Sequence, residues 1–217
     1  MTTQLAPHDL GLAARLRAET RVVHERAENS DFMARLARAQ VTRQDLANLA
    51  RQLEGVYLAL EESARAMAGH PVFGYVHDPA LERLDTLRAD VAALVAQGAE
   101  EPVVLPAAQA YAARIRAVAW DAPSLVAHHY TRYLGDLSGG QALGALFGRA
   151  LGLQPGEAGI SFYHFAAIPK PKPYKDRYRA ALDAAPMSEA QHDAVIAESI
   201  VAFRLNQDLF QELSALG

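Results

Sequence analysis

Apolar residues recur along this chain at intervals of three to four positions, which is the period of an amphipathic α-helix. In the last segment of the chain this apolar face consists of Val195, Ile196, Ile200, Phe203, Phe210 and Leu213. No stretch of β-branched residues alternates with polar residues at the two-residue period of a β-strand. The pattern predicts an all-α fold.

Capping residues set the bounds of the predicted helices. Thr42 with Asp45, and Ser188 with Gln191, have the three-residue spacing of a capping box. The predicted helices cover about 10–28, 43–67, 79–97 and 105–119, followed by a long fifth helix after Pro123, a short basic helix and a last helix from Ser188.

The chain shows no internal repeat and no break in composition that would mark a linker. We therefore expect one domain over residues 1–217, a single helical bundle, with 1–9 as a flexible amino terminus. The spaced prolines of segment 168–173 predict extended backbone before the basic helix.

Composition removes several classes of function. The chain contains no cysteine, which excludes disulfides, thiolate metal sites and a cysteine nucleophile. A net charge of -4 gives no general attraction to nucleic acid. Because the sequence shows no secretion signal and no apolar run of the about 18 residues that a membrane span needs, we expect a cytoplasmic protein without a membrane anchor.

Five glycines fall within the fifth predicted helix: Gly135, Gly139, Gly140, Gly144 and Gly148. Each costs roughly 0.8 to 1 kcal/mol relative to alanine, so the set costs about 4 to 5 kcal/mol of helix preference. A closely packed neighbouring helix or a flat ligand laid against bare backbone can offset that cost. Gly144 and Gly148 fit the first explanation. Gly135, Gly139 and Gly140 fit the second explanation better, because a double glycine favours a kink. The sequence alone does not decide between close packing and a flat ligand.

Two polar side chains interrupt the predicted apolar faces. His24 shares a face with Leu16 and Thr20, so we expect it to point toward the core, as an iron ligand or as a packed histidine. Asp136 lies inside the glycine-rich stretch, where it either holds water in a polar pocket or lies on a solvated helix face.

The two carboxyl-terminal helices add further candidates. Lys175 and Arg179 are four residues apart on one helix face, where they hold carboxylates at the rim of a pocket or are simply solvated. Phe203 and Asn206 are one turn apart and would bring an aromatic ring and an amide to the same interior, although core packing explains Phe203 equally well.

Residues 130–141 read Tyr-Thr-Arg-Tyr-Leu-Gly-Asp-Leu-Ser-Gly-Gly-Gln, which is similar to the distal-helix signature of the heme oxygenase family. Residues 23–28, Val-His-Glu-Arg-Ala-Glu, resemble the proximal helix of that family. The resemblance extends over about 10–213. It implies a helical bundle in which heme is sandwiched between a proximal helix and a kinked distal helix. It also implies an enzyme that uses O2 to open heme, at once cofactor and substrate, to biliverdin, CO and ferrous iron.

The resemblance further implies roles for single residues. His24 would be the axial iron ligand, with Glu28 orienting its ring. Gly135 and Gly139 would let the distal backbone lie over heme, and Asp136 would order the waters that deliver protons. The other expected heme contacts are Arg17, Tyr130, Lys175 and Arg179 at the propionates, Phe203 and Asn206 in the distal pocket, and Gly140 in the kink.

The sequence contains no dinucleotide-binding motif or phosphate loop, so electrons would have to come from an external donor, a ferredoxin or a flavoprotein reductase. We also expect a bilin-binding protein as the partner that takes up biliverdin.

Three other functions compete with this one, and the residues count against the last two. The first is a heme carrier or sensor without ring cleavage. The second is a thiaminase-like hydrolase on the same scaffold, which the absence of cysteine disfavours. The third is a di-iron carboxylate bundle, for which Glu189 and His192 supply one Glu-x-x-His motif without the expected second copy.

Overall fold

The computed structural model describes residues 11–28, 34 and 41–216, without the side chains of residues 26–28. Every regular element in these ranges is helical, as predicted. The expected flexible amino terminus, residues 1–9, lies outside the described residues.

We number the helices of the described part in chain order. They are α1 (Leu12–Glu19), α2 (Arg21–Glu28), α3 (Arg43–Ala66), α4 (Leu84–Ala96), α5 (Pro106–Ala117), α6 (Ala122–Gly135), α7 (Gln141–Leu151), α8 (Pro171–Ala184) and α9 (Glu189–Ser214). A π-helical turn, Asp136–Gly140, joins α6 to α7. Short 3-10 turns occur at Phe73–Tyr75, Pro79–Leu81 and Ser161–Tyr163.

Both predicted capping boxes form. At the start of α3 the Thr42 hydroxyl accepts the Asp45 N–H at 3.1 Å, and the Asp45 carboxylate accepts the Thr42 N–H at 2.8 Å. Ser188 and Gln191 make the same reciprocal pair at the start of α9. Each box satisfies two backbone N–H groups that would otherwise lack a partner, which explains why these helices begin where the sequence predicted.

Three boundaries differ from the prediction. The first helix is divided at Thr20, whose hydroxyl donates to the Leu16 carbonyl at 2.7 Å. The predicted helix over 79–97 begins only at Leu84. The buried Glu61 carboxylate accepts the N–H of Leu84 at 2.9 Å and so satisfies a first-turn N–H that has no partner within the helix. The segment predicted as extended is helical from Pro171, because prolines in a first turn lack only an N–H that has no helical partner.

The core lies where the long helices meet. The most extensive contacts join α6 to α9, α3 to α4 and α3 to α5, while α2 packs on α9 and α1 packs on α8. Tyr57, Tyr111 and Phe147 are among the largest fully buried side chains. Among the described residues, no helix combines the length and the apolar character that a membrane span requires.

Candidate functional site

A cavity of about 660 Å³ lies among α2, α3, the π-helical turn and α9. Ten of the residues singled out in the sequence line it: Arg17, His24, Tyr130, Gly135, Asp136, Gly139, Gly140, Arg179, Phe203 and Asn206. Apolar side chains of α3 and α9, including Leu49, Leu53 and Phe210, complete much of the wall. The fold therefore brings candidates from both ends of the chain to one place.

The π-helical turn exposes bare backbone to this cavity. A Cβ atom added at Gly135 or at Gly139 would meet no atom within 4 Å apart from its chain neighbours and its own helix backbone, and both residues line the cavity. At Gly140 the added atom would lie 3.5 Å from the Asp136 Cβ. A single π-helical turn inside a longer helix is a feature often found at functional sites. These glycines therefore leave open space rather than permit close packing.

Gly144 and Gly148 have the opposite surroundings. A Cβ atom at Gly144 would lie 2.5 Å from the Tyr163 Cβ, and one at Gly148 would lie 2.7 Å from the Leu153 carbonyl oxygen. The sequence predicted close packing at these two positions. The partner is the segment between α7 and α8 rather than a neighbouring helix, which corrects that part of the prediction.

His24 lies on α2 at one wall of the cavity, with its ring edge-on to Phe203 at 5.6 Å between centroids. The sequence predicted that this side chain faces the interior of the bundle. The structure places it at the wall of the cavity, where the imidazole is exposed. Helix α2 packs mainly against α9, so its residues stand at the edge of the bundle. The side chain of Glu28 lies outside the described residues.

Asp136, the first residue of the π-helical turn, belongs to a polar network that joins this turn to α3, α6 and α9. The Tyr57 hydroxyl donates to Asp136 Oδ2, and Arg132 Nη2 donates to Asp136 Oδ1 at 3.4 Å. Arg132 also donates to the Tyr57 hydroxyl at 3.2 Å and to Asn206 Oδ1 at 2.8 Å. Burial raises the pKa of Asp136, while Arg132 and the Tyr57 hydrogen bond act in the opposite direction. Asp136 is therefore buried and paired, not part of a solvated helix face.

The cations are grouped at the rim. Arg17 and Arg179 line the cavity together with Tyr130. Lys175 stands beside it, since its Nζ donates to the hydroxyl of Ser138, a lining residue, at 2.9 Å. Burial lowers the pKa of Lys175, and the nearby Arg179 charge adds to that effect.

Other lining residues were not predicted as site residues from the sequence: Thr20, Arg21, Leu49, Leu53, Thr131, Arg132, Leu134, Ser138, Leu143, Phe162, Tyr163 and Phe210. Arg132, Thr131, Leu134 and Ser138 lie inside the quoted 130–141 stretch and could have been found there. Nothing in the sequence distinguished Tyr57, because an aromatic residue on the apolar face of a helix is usually a core residue.

In the described part of the chain, no group of three or more His, Asp or Glu side chains could hold a metal ion.

Comparisons with known proteins lead to a single family. The chain matches the family model described as Heme oxygenase over residues 10–212. Heme oxygenase 1 of Synechocystis sp. is 37% identical over 206 residues, 94% of this chain and 85% of that protein. The solved heme oxygenase-1 of Synechocystis sp. in complex with heme has a TM-score of 0.86 at 36% identity, covering 95% of this chain and 93% of that chain. The heme oxygenase of Leptospira interrogans has a TM-score of 0.84 at 34% identity, covering 94% and 100%.

Proposed function

This chain belongs to the heme oxygenase family, and from that membership we propose that it opens heme inside the cavity between α2 and the π-helical turn, releasing biliverdin, CO and ferrous iron. It is an oxidoreductase that degrades heme. The observation that carries the assignment of the site is that His24 and the bare backbone of Gly135 and Gly139 line one cavity.

The residues fit heme in three respects. Gly135 and Gly139 present backbone without side chains to the cavity, as a flat ring requires. Much of the wall is apolar, which suits a macrocycle. Arg17 and Arg179 at the rim suit the two heme propionates, because a carboxylate is costly to bury without a partner and an arginine can pair with it near water. Tyr130 and Lys175 would complete the propionate contacts, and Phe203 and Gly140 would contact the ring.

When bound, heme supplies the iron that binds O2 and the ring that is opened. His24 Nε2 or Nδ1 would hold the iron, and its edge contact with Phe203 limits rotation of the imidazole. Glu28 lies one turn further along α2 and would orient the other ring nitrogen. The bare backbone at Gly135 and Gly139 would exclude bulky groups from the space above the ring.

Asp136 would hold and return protons in this cavity. Its carboxylate accepts hydrogen bonds from the Tyr57 hydroxyl and from Arg132, so these two donors set its orientation. Burial raises the pKa of Asp136, and a carboxyl with a raised pKa gives up and takes back a proton more readily near neutral pH than an ordinary one. Asn206 would anchor the network, since it accepts from Arg132 on the cavity side. We propose Asp136 as a proton relay rather than as an iron ligand.

The electrons come from a reductase partner, as in the family. We propose a ferredoxin or a flavoprotein reductase as that donor, because the sequence contains no dinucleotide-binding motif of its own. A bilin-binding protein as the receiver, a cytoplasmic location and a single domain spanning the chain remain predictions from the sequence.

A single-turnover assay tests the proposal. Purified protein is loaded with heme and supplied with O2, a reductant and catalase, and the products are separated by chromatography. Biliverdin should appear in an amount close to the heme supplied. Stable binding of heme without any bilin would contradict ring opening and support a carrier or sensor instead.

A further inference from the structure

A buried hydrogen bond joins α6 to α8 on the side of α6 that is turned away from the cavity. His129 is 1% exposed, and neither it nor Tyr133 is among the described residues that line the cavity, whereas the adjacent Tyr130 is. His129 Nδ1 lies 2.7 Å from the hydroxyl oxygen of Tyr178, a buried residue of α8. The two rings are 9° from parallel, with centroids 5.8 Å apart.

Neighbouring rings hold the imidazole of His129 in place. Phe73 meets it nearly perpendicularly at 5.3 Å between centroids, and Tyr133 meets it at 4.6 Å. Burial, with a smaller contribution from His77, lowers the pKa of His129 to about 3. Burial also raises the pKa of Tyr178. Both partners are therefore neutral near pH 7, and their hydrogen bond does not depend on pH in that range.

Tyr178 lies on α8 between the two cations at the rim. Lys175 precedes it by three residues and Arg179 follows it directly. Because successive residues of an α-helix are turned by about 100°, the direction of Tyr178 fixes the direction of Arg179. Arg179 lines the cavity, and Lys175 reaches the hydroxyl of Ser138 in the π-helical turn. Holding Tyr178 against α6 therefore determines where both cations stand relative to that turn.

Other hydrogen bonds hold the two ends of α8, but they lead elsewhere. Near its start the Tyr174 hydroxyl donates to Asp78 at 2.7 Å, in the segment before α4. Near its end the Asp183 carboxylate accepts the N–H of Ala13 at 2.8 Å, at the start of α1. The Tyr178 contact is made from the middle of α8 and reaches the helix that continues into the π-helical turn.

We propose that His129 and Tyr178 are positioning residues that set which meso carbon of heme is opened. Their hydrogen bond fixes α8 on α6, which places Arg179 and Lys175 and thereby the propionates, so that the ring is held in one rotation about its normal. This inference rests on the proposed function of the cavity. Both residues act through α8 and need no contact with the substrate.

Four single variants test the proposal. H129F keeps an aromatic ring and removes the hydrogen bond, and Y178F removes one oxygen atom from the other partner. H129Q restores a group that can bond to the tyrosine hydroxyl. Y174F is the matched control, because it removes the same hydroxyl one turn earlier on the same helix, where the partner is Asp78. H129F combined with Y178F completes a double-mutant cycle.

Two readouts separate positioning from stability. Chromatography gives the ratio of biliverdin isomers after turnover, and proton NMR of the heme methyl groups in the cyanide complex counts the heme rotations without turnover. H129F, Y178F and the double variant should each change both ratios by a similar factor, about twofold to tenfold, the range that one neutral hydrogen bond contributes to an equilibrium. H129Q and Y174F should stay near the wild-type ratios.

Wild-type ratios in both H129F and Y178F, even with lowered melting temperatures, would overturn the proposal and leave the pair a packing contact. If instead the wild-type protein forms no bilin, the proposed function fails, and this inference fails with it.

Discussion

Alanine at Gly139 and alanine at Gly144 should have opposite effects on stability and on heme binding. An added Cβ at Gly139 meets no atom within 4 Å apart from its chain neighbours and its own helix backbone, but at Gly144 it lies 2.5 Å from the Tyr163 Cβ. Alanine is favoured over glycine in a helix interior by roughly 0.8 to 1 kcal/mol. In G139A this gain is unopposed, so the free energy of unfolding of the heme-free protein should rise by up to about 1 kcal/mol, or about 2 to 4 °C in melting temperature.

In G144A the same gain is opposed by overlap with Tyr163. Overpacking a core costs about 1 to 3 kcal/mol, so the net result should be a loss of up to about 2 kcal/mol. Heme binding should change in the reverse order. The methyl group of G139A enters the space that we propose for the ring, so heme affinity and bilin yield should fall steeply, whereas G144A should alter them less.

Urea unfolding of the heme-free proteins measures the first effect, and absorption titration with heme measures the second. At Gly139 the gain in stability and the loss of heme affinity should be separate effects. A G139A protein that is less stable than wild type, yet binds heme with wild-type affinity, would show that the bare backbone serves the fold rather than a ligand.

Three further predictions follow from the site and the core. D136A should still bind heme but lose most of its biliverdin yield in a single turnover, and a normal yield would refute the relay role of Asp136. H24A should lose the absorption and resonance signature of a histidine-ligated heme, and an unchanged spectrum would assign the iron to another ligand. The third prediction concerns Glu198. Burial alone would raise the pKa of this carboxyl, but hydrogen bonds from His128 and Arg114 hold the pKa at about 2. Because this pKa is below its unfolded value, the stabilisation is present above about pH 4.5 and is lost as the pH falls toward 2, by about 3 kcal/mol in total. E198Q should therefore unfold with a flatter pH dependence in acid-induced denaturation than wild type, and an identical acid transition would contradict this.

Much of the bundle follows from local rules in the sequence. The capping boxes at Thr42 and Ser188 placed two helix starts, and three-to-four spacing placed the apolar faces. The boundaries that differ depend on contacts between residues far apart in sequence. The start at Leu84, for example, is set by a carboxylate on α3, Glu61, which no local pattern on the later helix reveals.

The candidate site divides in the same way. Glycines in a helix carry a cost that the sequence itself makes visible, so Gly135 and Gly139 could be singled out. Tyr57 could not, because its hydroxyl becomes meaningful only when α3 brings it to Asp136 on the π-helical turn. The exposure of His24 was also hidden, since a helical pattern predicts which face is shared but not whether that face meets core or cavity.

All the roles proposed above require that one heme occupies the cavity lined by His24 and the π-helical turn. Titration of the heme-free protein with heme, followed by absorption spectroscopy, tests it directly. We expect saturation at one heme per chain, with a histidine-ligated spectrum. Absence of saturable binding, or a stoichiometry other than one, would contradict occupation of this cavity by a single heme.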